Sequence, residues 1–270
     1  MGLSRRFQNL IVDSSYAGAQ WLRSIDLTRH LFGNTAAAAP AADSYNPKNK
    51  RGLRIQIERI RFPRPMLRLK CTYMPYDQRN IDCFPLADRK VVMVDHTGIT
   101  RLCDVDARSV MAMPNIHKPK SDPISLFLAK EMPLPFFSGK LEYVPELKLW
   151  FGLSAEPSRR LLAAADLISS DSQPQLIGDW NEFTPPEGWL EYQEPQLVNL
   201  GSARFCISRF FHIRSMDNDN EVIDSVVVFT GVEVMPVGHN GDGNGKVKLR
   251  MEKHKSRCCV SGSTMICSIF

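Results

Sequence analysis

Two adjacent cysteines, Cys258 and Cys259, and a third four residues from the end, Cys267, close a chain of 270 residues. The chain ends Cys267-Ser268-Ile269-Phe270. A cysteine at that position with phenylalanine last is compatible with thioether attachment of a geranylgeranyl chain, although Ser268 is not aliphatic. One lipid chain gives only marginal membrane binding, so a second signal would be needed. Acylation of Cys258 or Cys259 could supply it. So could the basic cluster Lys246, Lys248, Arg250, Lys253, Lys255 and Arg257, at about 1 kcal/mol per residue near an anionic leaflet. A structural reading competes. Residues 246–251 alternate basic with apolar, like an edge strand. If the last ten residues pair as a closing strand, Cys267 is out of a transferase's reach.

Other constellations dissolve on inspection. The six histidines (His30, His96, His117, His212, His239, His254) are dispersed and show no metal-ligand spacing. The stretch 238–248 ends in Gly-Lys, but Asn240 stands where a phosphate-binding loop needs its first glycine, and Val247 replaces the magnesium-holding hydroxyl. Residues 216–221, Met-Asp-Asn-Asp-Asn-Glu, are oxygen-rich yet lack the glycine and distant glutamate of a calcium loop. No G-x-S-x-G elbow is present. The sequence therefore assigns no catalytic, cofactor-binding or metal residue. The basic cluster lacks the interleaved aromatic residues of a nucleic-acid surface.

Composition is that of an ordinary globular chain: 43% hydrophobic, 23% charged, net charge +5. Seven cysteines without metal or redox spacing point to free thiols in a reducing compartment. No apolar run reaches the length of a bilayer span. The first 42 residues carry Arg5, Arg6, Arg23 and Arg29 with much alanine and serine, as transit segments do. The same residues also read as a first strand through Phe7, Leu10, Ile11 and Val12, followed by a loop. Cytoplasm or nucleus is the expected location. A mitochondrion or a lipid-anchored membrane location is the alternative.

The elements that would have to position any site are strands. Residues 89–114 read as strand (Val91–Val94), turn (His96-Thr97-Gly98), strand (Ile99–Val105), turn, strand (Val110–Met113). The pattern returns at 141–153 around Pro145-Glu146, and again at 197–213 and 226–234. Residues 160–167 could be strand or short helix. Strand-turn-strand modules recurring every few tens of residues point to a propeller-like repeat. Trp150 and Phe151 are expected to pack between blades.

Six ordered phrases carry a family resemblance: RRFQNLIVD, DVDARSVMAMP, LEYVPELKLWFGLS, LVNLGSARFCI, VVVFTGVEVM and KHKSR. Together they resemble a plant family expanded in grasses, known only as a domain of unknown function, whose members look like kelch-type β-propellers. The resemblance covers residues 5–257. Typical members carry further strands where this chain has only residues 115–140. At about 40–50 residues per blade, the length allows no more than about six.

The expected architecture is an all-β, kelch-like propeller, either closed with a reduced number of blades or incompletely closed. It would occupy residues 1–257, with loops at 34–52, 114–140 and 179–196 and a C-terminal tail at 258–270. The expected function is a non-catalytic platform for other proteins, without cofactor or nucleic acid, and with peripheral membrane contact as the lesser option. A shortened, interfering copy acting on an essential partner is the alternative, and a propeller enzyme the second alternative.

Overall fold

The computed structural model describes residues 6–14, 19–33, 57–69, 81–87, 90–95, 97–116, 137–156, 161–167, 175–215, 221–237, 248–260 and 264–269. The fold is all-β: four four-stranded antiparallel sheets, the blades of a four-bladed β-propeller. The chain divides into two compact units, each containing two of these sheets.

In one unit, β1 (Phe7–Ser14), β2 (Ala19–Asp26) and β3 (Leu67–Leu69) form a sheet with the last strand of the chain, β16 (Thr264–Ile269), in the order β16-β1-β2-β3. The other sheet of this unit is a meander of β4 (Ile81–Ala87), β5 (Lys90–Asp95), β6 (Thr100–Asp104) and β7 (Ser109–Met113). Its core joins Ile11, Leu22 and Leu69 to Val91, Met93 and Cys103.

The second unit contains the meanders β8 (Phe137–Val144), β9 (Leu149–Ser154), β10 (Leu162–Asp166), β11 (Gln175–Trp180) and β12 (Trp189–Gly201), β13 (Arg204–Arg214), β14 (Val222–Val237), β15 (Lys248–Val260). Strands β13 and β14 are buried on both faces over most of their length, which is why they read as continuous apolar runs instead of alternating ones. Phe151 of β9 is fully buried and meets Phe205 of β13 with ring centroids 5.0 Å apart. Its neighbour Trp150 points the other way, as successive strand residues must, and packs half-buried on Tyr143 at 5.1 Å. Only Phe151 therefore fills the expected role between sheets.

A short π-helical turn, Thr28–Phe32, lies against β14 and β15. There the β14–β15 register shifts between Thr230 and Val232, opposite His254 and Lys255. Gly231 sits in this irregularity because a Cβ would stand 2.9 Å from Phe32 Cζ and 3.1 Å from Leu31 Cβ.

Several boundaries differ from the sequence reading. Residues 137–140 open β8, residues 179–180 end β11, and residues 189–196 are the first half of β12. Acidic and aromatic side chains made 179–196 look like a connector, but 189–196 pair with β13 through a bulged ladder that tolerates Pro195. The boundary placed at 257 falls inside β15, and the tail 258–270 is the end of that strand followed by β16. Residues 160–167 resolve as strand β10, and 34–52 lie outside the described residues.

The β5–β6 turn shows how side chains fix this fold locally. Asp95 Oδ1 accepts from Thr97 N at 3.0 Å, Thr97 Oγ1 at 2.6 Å and Ile99 N at 3.0 Å, while Arg101 lies 3.7 Å from Oδ2. Gly98 takes φ +87, and a Cβ there would meet Ile116 O at 2.8 Å. Burial alone would raise the Asp95 carboxyl. The Thr97 and Ile99 hydrogen bonds and the Arg101 charge outweigh that and hold it below the ordinary aspartate value. A depressed folded-state pKa stabilises above the unfolded value and is lost as pH falls through the folded one. Asp95→Asn should therefore lower stability by about 1–3 kcal/mol at pH 7. The gap to wild type should shrink below about pH 4, as read by urea denaturation at both pH values.

Candidate functional site

The C-terminal residues singled out for chemistry are built into sheets. Cys258 and Cys259 are fully buried on β15. Their Sγ atoms lie 3.7 Å from the carbonyl oxygens of Ile57 and Ile60. The segment holding those carbonyls runs along β15: Cys258 N donates to Glu58 O at 3.1 Å, and Ile60 N donates to Cys258 O at 2.9 Å. Burial pushes the Cys258 thiol up to about 11 and also raises Cys259. Neither is a thiolate nucleophile at neutral pH. Cys267 belongs to β16, opposite the irregularity between Ile11 and Val12 of β1.

The basic cluster is divided in the same way. Lys246 lies outside the described residues, and Lys248 and Arg250 project from the exposed start of β15. Arg250 lies 3.7 Å from Glu252, both largely exposed. Lys253 sits 5.8 Å from the Phe183 ring centroid, and Lys255 donates to the Gly33 carbonyl. Arg257 pairs with Glu58 at 2.7 Å. His254 Nε2 and Arg204 Nε meet the two carboxylate oxygens of Glu233, each at 3.1 Å. By the β14 register Lys253 lies on the face opposite Lys248 and Arg250, and the bulge returns Arg257 to their face, where it is buried against Glu58.

The densest polar constellation was missed by sequence reasoning. Arg209 of β13 lies on the same strand face as Phe205, Ile207, Phe211 and Ile213, all buried. Its Nε donates to Glu182 Oε1 at 2.5 Å, and its Nη1 reaches both oxygens of Glu191 at 3.2 and 3.3 Å. Burial pulls the guanidinium pKa down. The bond and charge of Glu182, with help from Glu191, more than reverse this, so Arg209 stays a cation. Glu182 is 1% exposed. The pair therefore fixes the connection between β11 and β12 to the interior of the sheet.

A sequence signal for it exists. No Lys, Arg or His occurs between Arg160 and Arg204, while seven carboxylates do. A lone arginine inside the following apolar run needs a buried partner, and this acidic stretch is the nearest supply.

A second pair lies on the opposite face of β13. His212 Nδ1 and Ser225 Oγ are 2.9 Å apart, directly across the β13–β14 ladder. Tyr192 stacks on the imidazole at 4.0 Å with an interplanar angle of 11°. Burial, then the charge of Arg214, lowers the His212 pKa, leaving a neutral ring. Such a pair can pass a proton, which is one step of nucleophilic catalysis.

In the other unit a cavity of about 10 Å³, room for a single water, lies beside Leu22, Met66, Leu67 and Cys103. Among the described residues no group of three or more His, Cys, Asp or Glu is placed to hold a metal ion. No helix among them is long and apolar enough to cross a membrane.

These features define an all-β propeller whose interior charges are matched to one another, on a scaffold that suits binding proteins and enzymes alike. The family described as Protein of unknown function (DUF1668) matches residues 5–132 and 129–260, and the chain belongs to that family. No curated protein and no solved structure matches it.

Two outcomes test this geometry. Under native conditions a thiol reagent should leave Cys258 and Cys259 unlabelled in peptide mass spectra, and denaturant should expose both. Arg209→Met should cost about 3–5 kcal/mol by stranding Glu182, whereas Arg209→Met with Glu182→Leu should recover most of it in denaturant unfolding.

Proposed function

We propose that this protein is a non-catalytic interaction platform of its family that binds other proteins through the exposed edges of its sheets. The observation that carries this reading is where the exposed apolar side chains fall. Of the ten exposed large apolar side chains among the described residues, seven lie on edge strands, Leu86 on β4, Val110 and Met111 on β7, Tyr143 on β8, Leu176 and Ile177 on β11 and Leu190 on β12, while Ile116, Val222 and Val237 do not. Single exposed apolar residues are ordinary, but their concentration on edge strands gives those strands side chains able to contact a protein partner. The strongest interior polar groups, by contrast, are spent in pairs such as Arg209–Glu182. Kelch-type blades are the finer form of the proposed architecture, and the partners are proteins in the cytoplasm or nucleus, not nucleic acid.

Cross-linking and mass spectrometry with wild type and Leu176→Lys/Ile177→Lys tests the reading. A defined protein cross-linked to wild type and lost with the folded variant is the expected result. Hydrolysis of an activated ester that disappears in Ser225→Ala would count against it, because His212 and Ser225 would then be catalytic.

One observation favours a second reading, a shortened copy that interferes with an essential partner. The two family matches meet at residues 129–132, inside the 115–140 join where the resemblance implies further strands. Expression without growth cost would count against that reading.

A further inference from the structure

Among the described residues the four sheets end in eight edge strands, and an unprotected edge is a template for another strand. Comparing them shows that seven carry some device against pairing. Strand β3 is three residues long and carries the exposed Arg68. Strand β4 contains Pro85 and a register shift beside it. The ladders of β8 and β16 are irregular, and β12 combines irregular pairing with Pro195 and two exposed glutamates. Strand β11 has an irregular ladder and the exposed Asp179. Strand β15 carries exposed cations at its start and is lined near its end by the Glu58–Ile60 backbone.

Strand β7 has none of these devices. Ser-Val-Met-Ala-Met contains no charge and no proline, and its pairing with β6 runs without a shift from Ser109–Asp104 to Met113–Thr100. Val110 is 45% and Met111 53% exposed, one on each face of the sheet.

We infer that β7 is a self-association edge, which pairs antiparallel with β7 of a second copy of this chain about a two-fold axis at Met111. The second copy is the occupant that the strand itself specifies. Antiparallel pairing about Met111 sets Met111 against Met111 and Val110 against Ala112, so apolar meets apolar on both faces. A neutral strand meets its own copy without like charges in opposition. The contact is the same patch on both subunits, so it closes at two members and makes one continuous eight-stranded sheet. Five residues per strand cover less than the roughly 1,200 Å² of a stable interface. The dimer is accordingly weak and depends on concentration. This inference uses Val110 and Met111, which the platform reading also counts among its exposed edge residues, but it needs no foreign protein.

Sedimentation velocity of the full-length chain across a concentration series tests it. Wild type should shift from monomer to dimer as concentration rises. Met111→Lys should raise the dissociation constant at least about tenfold, while Leu86→Lys, an equally exposed position on β4, should not. Met111→Cys, which needs no added charge to be accommodated, should form a disulfide-linked dimer under mild oxidation, well beyond any seen in wild type or Leu86→Cys. A monomer at every concentration would overturn the inference. So would a dimer that persists in Met111→Lys, or one that dissolves in salt and forms no Met111→Cys cross-link, since that would place the contact on charged edges instead.

Discussion

The pairing of β16 with β1 joins the two ends of the sequence in one sheet, and much of the chain's chemistry depends on it. Without β16, β1 would lose one ladder of backbone hydrogen bonds, and Leu10, Ile11 and Val12, all at most 1% exposed, would lose a neighbouring strand. A contact over more than 250 residues of sequence is costly in chain entropy and forms late. Ile266 and Ile269 are buried in return, which supplies the apolar area that holds the last strand in place. The same pairing sets Ser268 opposite Ile11 and Ile269 opposite Leu10.

The difference between legible and illegible parts of this fold follows the range of the interactions. Strands β5, β6 and β7 are readable because their apolar runs and the Asp95–Gly98 turn lie within one short window. Strands β9, β13 and β14 are readable because β-branched and aromatic residues run together there. Strand β2, by contrast, carries Trp21, Arg23 and Ile25 on one face and Leu22, Ser24 and Asp26 on the other, polar and apolar on both, and becomes a strand because β1 and β3 flank it. The first half of β12 has the composition of a loop and is held by β13 in spite of it. Neither case could be settled locally, because the deciding partner is elsewhere in the chain.

The candidate site was less legible than the fold for a related reason. Glu182 and Arg209 are 27 positions apart and belong to no spacing motif. What marks them is a mismatch: one arginine inside the apolar run 205–213, preceded by a long acidic stretch without a counter-ion. His212 and Ser225 need the β13–β14 register before either looks unusual, and a one-residue slip would set them on opposite faces. Sequence can therefore flag a buried charge that requires a partner, but register decides which polar side chains actually meet.

The basic residues of β15 show how a surface-like sequence is consumed by its structure. A run rich in lysine and arginine reads as a patch for anionic partners only if its charges converge. Here Lys253 lies on the face opposite Lys248 and Arg250, Lys255 and Arg257 are taken up by Gly33 and Glu58, and β15 is the edge of its sheet. Cations at the exposed start discourage another strand from adding there, which is a known use of charge on edges. Toward the other end the edge is lined by the Glu58–Ile60 backbone, and Arg257 turns to Glu58 to hold it. The two buried cysteines follow at once on that charged run because the lining segment shields them. Charge and thiol, adjacent in sequence and suggestive together of a membrane anchor, thus serve successive stretches of one protected edge.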